Sequence, residues 1–202
     1  MENGMVEKKL RVFDVIKSGL DIGVKNIGPI LVNTLLWIVT IWIPYINIGT
    51  SIGMVAGILV KASRGEAISM TEVFDPRYRK YMGEFFLTSG LVGMGVTMGF
   101  ILFIIPGYVI AIAWSLSLLL VVDKGKNPTE AISLSNKLTY GNKGAIFLAF
   151  LVLVVVACIA AVIFALIPAI GFIFTFAVTV LTIFVAIGME AYIYKVLCAD
   201  VQ

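Results

Sequence analysis

Three long stretches of the chain carry no Asp, Glu, Lys or Arg: residues 26–60, 85–122 and 144–189, which are 35, 38 and 46 residues long. Charged residues gather between them and at the two ends. A helix rises about 1.5 Å per residue and needs about 20 residues to cross a hydrocarbon core about 30 Å thick. As single helices the stretches would reach roughly 52, 57 and 69 Å, so each must fold back on itself. Ile43-Pro44, Ile105-Pro106 and Ile167-Pro168 fall near the middle of their stretches. Proline removes a backbone donor and pushes the preceding residue out of helical geometry. The pattern predicts three helical hairpins that turn at Pro44, at Pro106-Gly107 and at Pro168. Six spans follow, at about 27–43, 45–60, 85–105, 107–122, 144–167 and 169–189. The first two are short, which leaves room for a shallow or partly re-entrant first hairpin.

The prolines are evenly spaced: 62 residues separate Pro44 from Pro106, and 62 separate Pro106 from Pro168. A second marker travels with them, Glu66-Ala67, Glu130-Ala131 and Glu190-Ala191, and residues 66–69 and 130–133 both read EAIS. Two markers in three registers point to a threefold internal repeat, with units at about 26–65, 85–130 and 144–190. A unit with two spans returns to the side it left, so the units are parallel repeats. The expected fold is an all-α polytopic membrane protein with six spans, arranged as three parallel hairpins with proline turns, together with amphipathic surface helices. Residues 1–25 form a cytoplasmic amphipathic segment, 26–195 a single membrane domain, and 196–202 a cytoplasmic tail.

Composition agrees, since 60% of residues are hydrophobic and 13% charged, outside the range of ordinary soluble domains. Charge then sets orientation. All 15 basic residues lie in the two ends and the two long connections, and none lies at a proline turn. The positive-inside rule places both termini and both connections on the cytoplasmic side of the cell membrane. Trp42, Tyr45 and Tyr108 flank the turns, as an outer interfacial belt would require. The first apolar stretch lacks the features of a cleaved signal peptide and is expected to remain as a span. Cys158 sits within a span and Cys198 in the tail, so neither a disulfide nor a metal pair is indicated.

The connections read as ordered. Asn127, Pro128 and Glu130 suit the start of a helix, and Ala131, Leu134 and Leu138 recur at helical spacing. A helix lying on the membrane surface is expected there. A second is expected over residues 5–25, with Val6, Leu10, Phe13 and Leu20 on its apolar face. Arg77, Tyr78, Arg79, Lys80 and Tyr81 mix cations with aromatic rings, as a contact to anionic lipid headgroups would. Within the spans, Gly49, Gly53 and Gly57, and then Gly95 and Gly99, stand four apart, the spacing that lets helices approach closely within one chain or between copies.

Chemistry is sparse. The chain has no His, which removes the commonest general base, and it carries no recognisable nucleotide, hydrolase or metal motif. No ionisable residue is expected deep in a span, which argues against ion coupling. Asn33, Asn47, Thr97, Ser115, Ser117 and Thr179 are the polar residues expected at depth. They are expected to bond back to their own helices. No catalytic residue, cofactor or nucleic-acid partner is expected.

Ile105, Pro106 and Gly107, the polar exit at Val122-Asp123, and then Glu130-Ala131, Ser135, Leu138 and Gly141 form a pattern that resembles a group of poorly characterised prokaryotic multispanning proteins. The group includes the YciC-like proteins and the membrane domain attached to some glycerophosphoryl diester phosphodiesterases. The likeness covers about residues 85–150 and implies topology more than activity. The phosphodiesterase catalytic domain has no counterpart in the chain. The expected function is a non-enzymatic scaffold, assembly or envelope-maintenance role that contacts lipid, a protein partner or a second copy. The alternative is a transporter or channel without ion coupling. Three parallel hairpins could enclose a path as in the mitochondrial carriers, although the charged residues that follow the prolines of those carriers are missing after Pro44 and Pro168.

Overall fold

Prolines lie in the first turn of several helices, and left-handed glycines, Gly65 and Gly125, end two of them. The computed structural model describes residues 8–167 and 170–201. It is all-helical, with no strand among the described residues: α1 Val12–Lys25, α2 Ile27–Thr40, α3 Pro44–Ile52, α4 Ile58–Arg64, α5 Met82–Leu102, α6 Ile104–Trp114, α7 Ser117–Lys124, α8 Pro128–Thr139, α9 Lys143–Ala165 and α10 Gly171–Leu197. A π-helical turn, Gly53–Gly57, joins α3 to α4, and two 3₁₀ turns, Glu72–Phe74 and Pro76–Tyr81, lead into α5. Five helical stretches are long and apolar enough to cross a membrane, or six if the bent pair α1–α2 is taken as one. Only 11% of the most apolar window of α9 is buried within the chain. So much exposed apolar surface is stable in hydrocarbon and not in water. The chain is a multi-pass membrane protein.

Each described proline falls within the first three residues of a helix: Pro29 in α2, Pro44 in α3, Pro76 in its 3₁₀ turn, Pro106 in α6 and Pro128 in α8. The first N–H groups of a helix have no partner inside it, so a missing donor costs little there. The second hairpin therefore turns before its proline. Phe103 alone is extended (φ −160°, ψ 153°), and Pro106 sits in the first turn of the returning helix. The first hairpin turns over Ile41–Ile43, immediately before Pro44. Pro168 lies outside the described residues.

The α5–α6 hairpin is drawn tight by small residues. A Cβ on Gly99 would lie 2.9 Å from the Gly107 Cα, and one on Gly95 would lie 2.0 Å from the Trp114 ring. Gly95 and Gly99 thus pack within the chain. Gly49, Gly53 and Gly57 face the 3₁₀ turns of the connection. They form a groove on α3 and the π-turn that receives the side chains of Arg79 and Tyr78.

Two expected surface helices pack inside. In α1 the buried residues are Val15, Gly19 and Gly23, while Phe13 and Leu20, expected on the apolar face, are exposed. Val6 lies outside the described residues. Helix α1 runs antiparallel along α10: Lys8 pairs with Asp200 at 2.5 Å, Gly19 faces Met189 and Gly23 faces Phe184. The expected tail is part of this contact, since α10 continues to Leu197, and Leu197 and Cys198 are buried. Burial pushes the Cys198 thiol up to about 12, with the Asp123 carboxylate as a second cause. Helix α8 buries Ala131, Ser135 and Thr139 against α6 and α7. Ser135 Oγ donates to the Ala113 carbonyl (2.7 Å) and accepts from the Leu116 amide (3.2 Å). It thereby fills the break between α6 and α7 with hydrogen bonds the backbone has lost.

The two EAIS stretches differ in structure. Glu130–Ser133 is helical, but Glu66–Ser69 follows the left-handed cap Gly65 (φ 69°) as non-helical chain. Glu190 and Ala191 fall inside α10, so an ionisable residue does stand within a candidate span.

Candidate functional site

Polar chemistry concentrates at one end of the bundle, around the last turn of α4. Lys61 and Arg64 project from that turn, and Gly65 ends the helix in the left-handed conformation that glycine adopts without penalty. Arg64 pairs with the buried carboxylate of Asp123 at the end of α7. The Tyr194 hydroxyl of α10 donates to the same carboxylate at 2.6 Å. One acid thus ties three helix ends together.

A second acid fixes the connection between hairpins. Glu72 is buried, accepts from Lys61 Nζ (2.8 Å) and the Tyr78 hydroxyl (2.7 Å), and also accepts from the Ser69 amide (3.3 Å). Burial alone would raise its pKa, but the bonds from Lys61, Tyr78 and Ser69 together hold it below the ordinary glutamate value. A lowered carboxylate stabilises the fold above its unfolded pKa and loses that contribution as pH falls through the folded value. Stability should therefore fall on acidification below the ordinary glutamate range. Lys61→Met should move that acid loss to higher pH, as read from thermal unfolding in detergent at stepped pH.

Of the five residues expected at a lipid headgroup, Tyr78 is corrected outright. It is buried in the groove of Gly53 and Gly57 and committed to Glu72. Arg77 pairs with Asp75 at 2.5 Å, which holds the Asp75 carboxyl low. Lys80 stands over the Tyr81 ring at 5.6 Å, and Arg79 over the Tyr45 ring at 5.0 Å. A cleft of about 210 Å³ lies between Lys61, Arg64, Tyr78, Tyr81 and Asp123. Its cations Lys61, Arg64 and Arg77 each already face a carboxylate. The arrangement clamps the ends of α4, α7 and α10 together.

The deep polar residues divide in two. Ser115, Ser117 and Thr179 donate to carbonyls of Ile112, Trp114 and Thr175 on their own turns, and Thr97 is exposed. Asn33 does more. Its amide donates to the carbonyls of Pro29 (2.8 Å) and Ser69 (2.7 Å), and its oxygen accepts from the Val73 amide (2.9 Å). Asn47 accepts from Ser51, while its buried Nδ2 has no partner among the described residues. Asn142, not singled out in the sequence, binds the backbone of Lys8 and Leu10 at 2.7 Å each. Among the described residues no three His, Cys, Asp or Glu side chains converge as metal ligands.

Comparisons with protein-family models, curated proteins and solved structures gave no match to the chain. The likeness of residues 85–150 to YciC-like proteins rests on its motif residues alone.

Proposed function

We propose that the protein is a non-enzymatic scaffold or assembly component of the cytoplasmic membrane, with both termini on the cytoplasmic side. The observation that carries this reading is the commitment of polar groups to the chain itself. Asp123, Glu72 and Asn33 each bridge separate elements, while the long helices turn a predominantly apolar surface outward. The parallel-hairpin plan belongs to the same proposal. It is supported by the return helices of the first two units, both of which end on left-handed glycines, Gly65 and Gly125.

Coupled transport normally places a charge or a dense polar path across the hydrocarbon. Here the hydroxyls of Ser115, Ser117 and Thr179 are spent within single turns. Purified protein in liposomes is expected to show no uptake driven by proton or sodium gradients. Gradient-driven uptake that Ser115→Ala abolishes would replace this reading with the transporter.

A further inference from the structure

Charge and hydropathy place the turn at Pro44 and the connection over residues 65–81 on opposite faces of the membrane. The structure puts them in contact. Arg79 of the connection stands 5.0 Å from the ring of Tyr45, the residue after Pro44. Its side chain lies along Gly49, where an added Cβ would come within 3.1 Å of Nε. Further back, Tyr78 fills the groove of Gly53 and Gly57, and Val73 is bonded to Asn33 in the middle of α2. The connection therefore accompanies the first hairpin from its middle to its turn. Groups this close cannot occupy opposite sides of a hydrocarbon core about 30 Å thick.

The path of the chain agrees. Helix α1 runs antiparallel to α10, and at Asn26 the chain bends by 70° into α2. Helix α2 is thereby carried away from the axis of the longest apolar helix. The exposed residues at the turn, Trp42 and Tyr45, are types enriched where membrane meets water. Lys61, Arg64 and Arg77 each meet a carboxylate, whereas Arg79, like Lys80, meets none among the described residues; of these two, Arg79 is the one beside the turn at Pro44. A guanidinium exposed beside an interfacial tyrosine suits the bidentate acceptor geometry of a phosphate.

We propose that the first hairpin is re-entrant, entering and leaving on the charged face, and that Arg79 beside Tyr45 binds the phosphate of a lipid in that leaflet. Hairpins two and three then supply the full crossings. The lipid contact rests on the proposed function, whereas labelling from one side tests the topology without any functional assay.

The full chain with Cys158 and Cys198 replaced by Ser serves for labelling, with single cysteines at W42C, S69C or F103C. A membrane-impermeant maleimide should reach W42C from the same face as S69C, and F103C from the opposite face. Labelling of W42C only from the F103C face overturns the re-entrant hairpin. For the lipid, purified protein is heated with phosphatidylglycerol micelles or with inorganic phosphate. Phosphatidylglycerol should raise the unfolding temperature and inorganic phosphate should not. Arg79→Gln should lose most of that rise and Arg79→Lys should keep part of it. A full rise in Arg79→Gln, or an equal rise with inorganic phosphate, overturns the lipid site.

Discussion

Gly188→Ala should destabilise the protein although alanine is the better helix former. A Cβ at position 188 would lie 2.0 Å from the Gly19 carbonyl oxygen and 2.7 Å from the Gly23 nitrogen. Both are backbone atoms of α1, so no side chain can swing aside and the two helices must separate. Overpacking of this kind typically costs about 1–3 kcal/mol, against a helix-propensity gain of up to about 1 kcal/mol. Gly188→Leu should separate α1 from α10 outright and, by freeing α1 from its packed helix, speed tryptic cleavage at the surface lysines Lys17 and Lys25. Gly93→Ala is the control, because a Cβ there meets nothing within 4 Å; it should be neutral or slightly stabilising. Unfolding temperature in detergent and the rate of tryptic cleavage read the effect. Equal stability of Gly188→Ala and Gly93→Ala would show that the close approach of α1 and α10 is not tight.

The glycines of α1 show why some of this was hidden in the sequence. Gly19 and Gly23 have the spacing of a close-packing pair, but Lys17, Asp21 and Lys25 stand around them and give the segment the look of a surface helix. The signal becomes readable only with Gly188, which lies far along the chain and directly across from them. The EAIS stretches make the converse point, because identical residues take different structures. Asn127 and Pro128 launch a helix just ahead of Glu130, with the Asn127 oxygen accepting from the Glu130 amide at 2.9 Å, while Gly65 has just ended one ahead of Glu66. Local context decides, so a four-residue identity does not carry a conformation.

The helical class and the membrane character were legible because block lengths and charge-free runs are summed over tens of residues. Whether a block crosses or turns back was not. A crossing hairpin and a re-entrant one return their flanking charges to the same face, so the positive-inside pattern is the same for both. Arg77 to Tyr81 likewise read as one headgroup motif. In the folded chain Tyr78 turns inward to Glu72, while Arg79 stays outside along Gly49.

Asn33→Ala is expected to be the most damaging single change within the first hairpin, in contrast to Ser115→Ala and Thr179→Ala. All three look alike in sequence, as lone polar residues in apolar runs. Ser115 and Thr179 donate only to carbonyls of their own helices, and their loss leaves those carbonyls with their helical setting. Asn33 is fully buried and reaches out of α2 to Ser69 and Val73. Alanine would strand the Ser69 carbonyl and the Val73 amide, and an unpaired buried group costs about 1–3 kcal/mol. The sum, about 2–6 kcal/mol, lies toward the upper end of single-residue effects. Asn33→Asp keeps an acceptor for Val73 but cannot donate to Ser69, and it adds a buried charge, so it should rescue nothing. Hydrogen exchange gives the specific readout. The Val73 amide should lose protection in Asn33→Ala while amides of α9 and α10 keep theirs, because the bond that is lost holds the connection and not the long helices. Unchanged protection at Val73 would mean that the connection is held by Glu72 and Tyr78 alone.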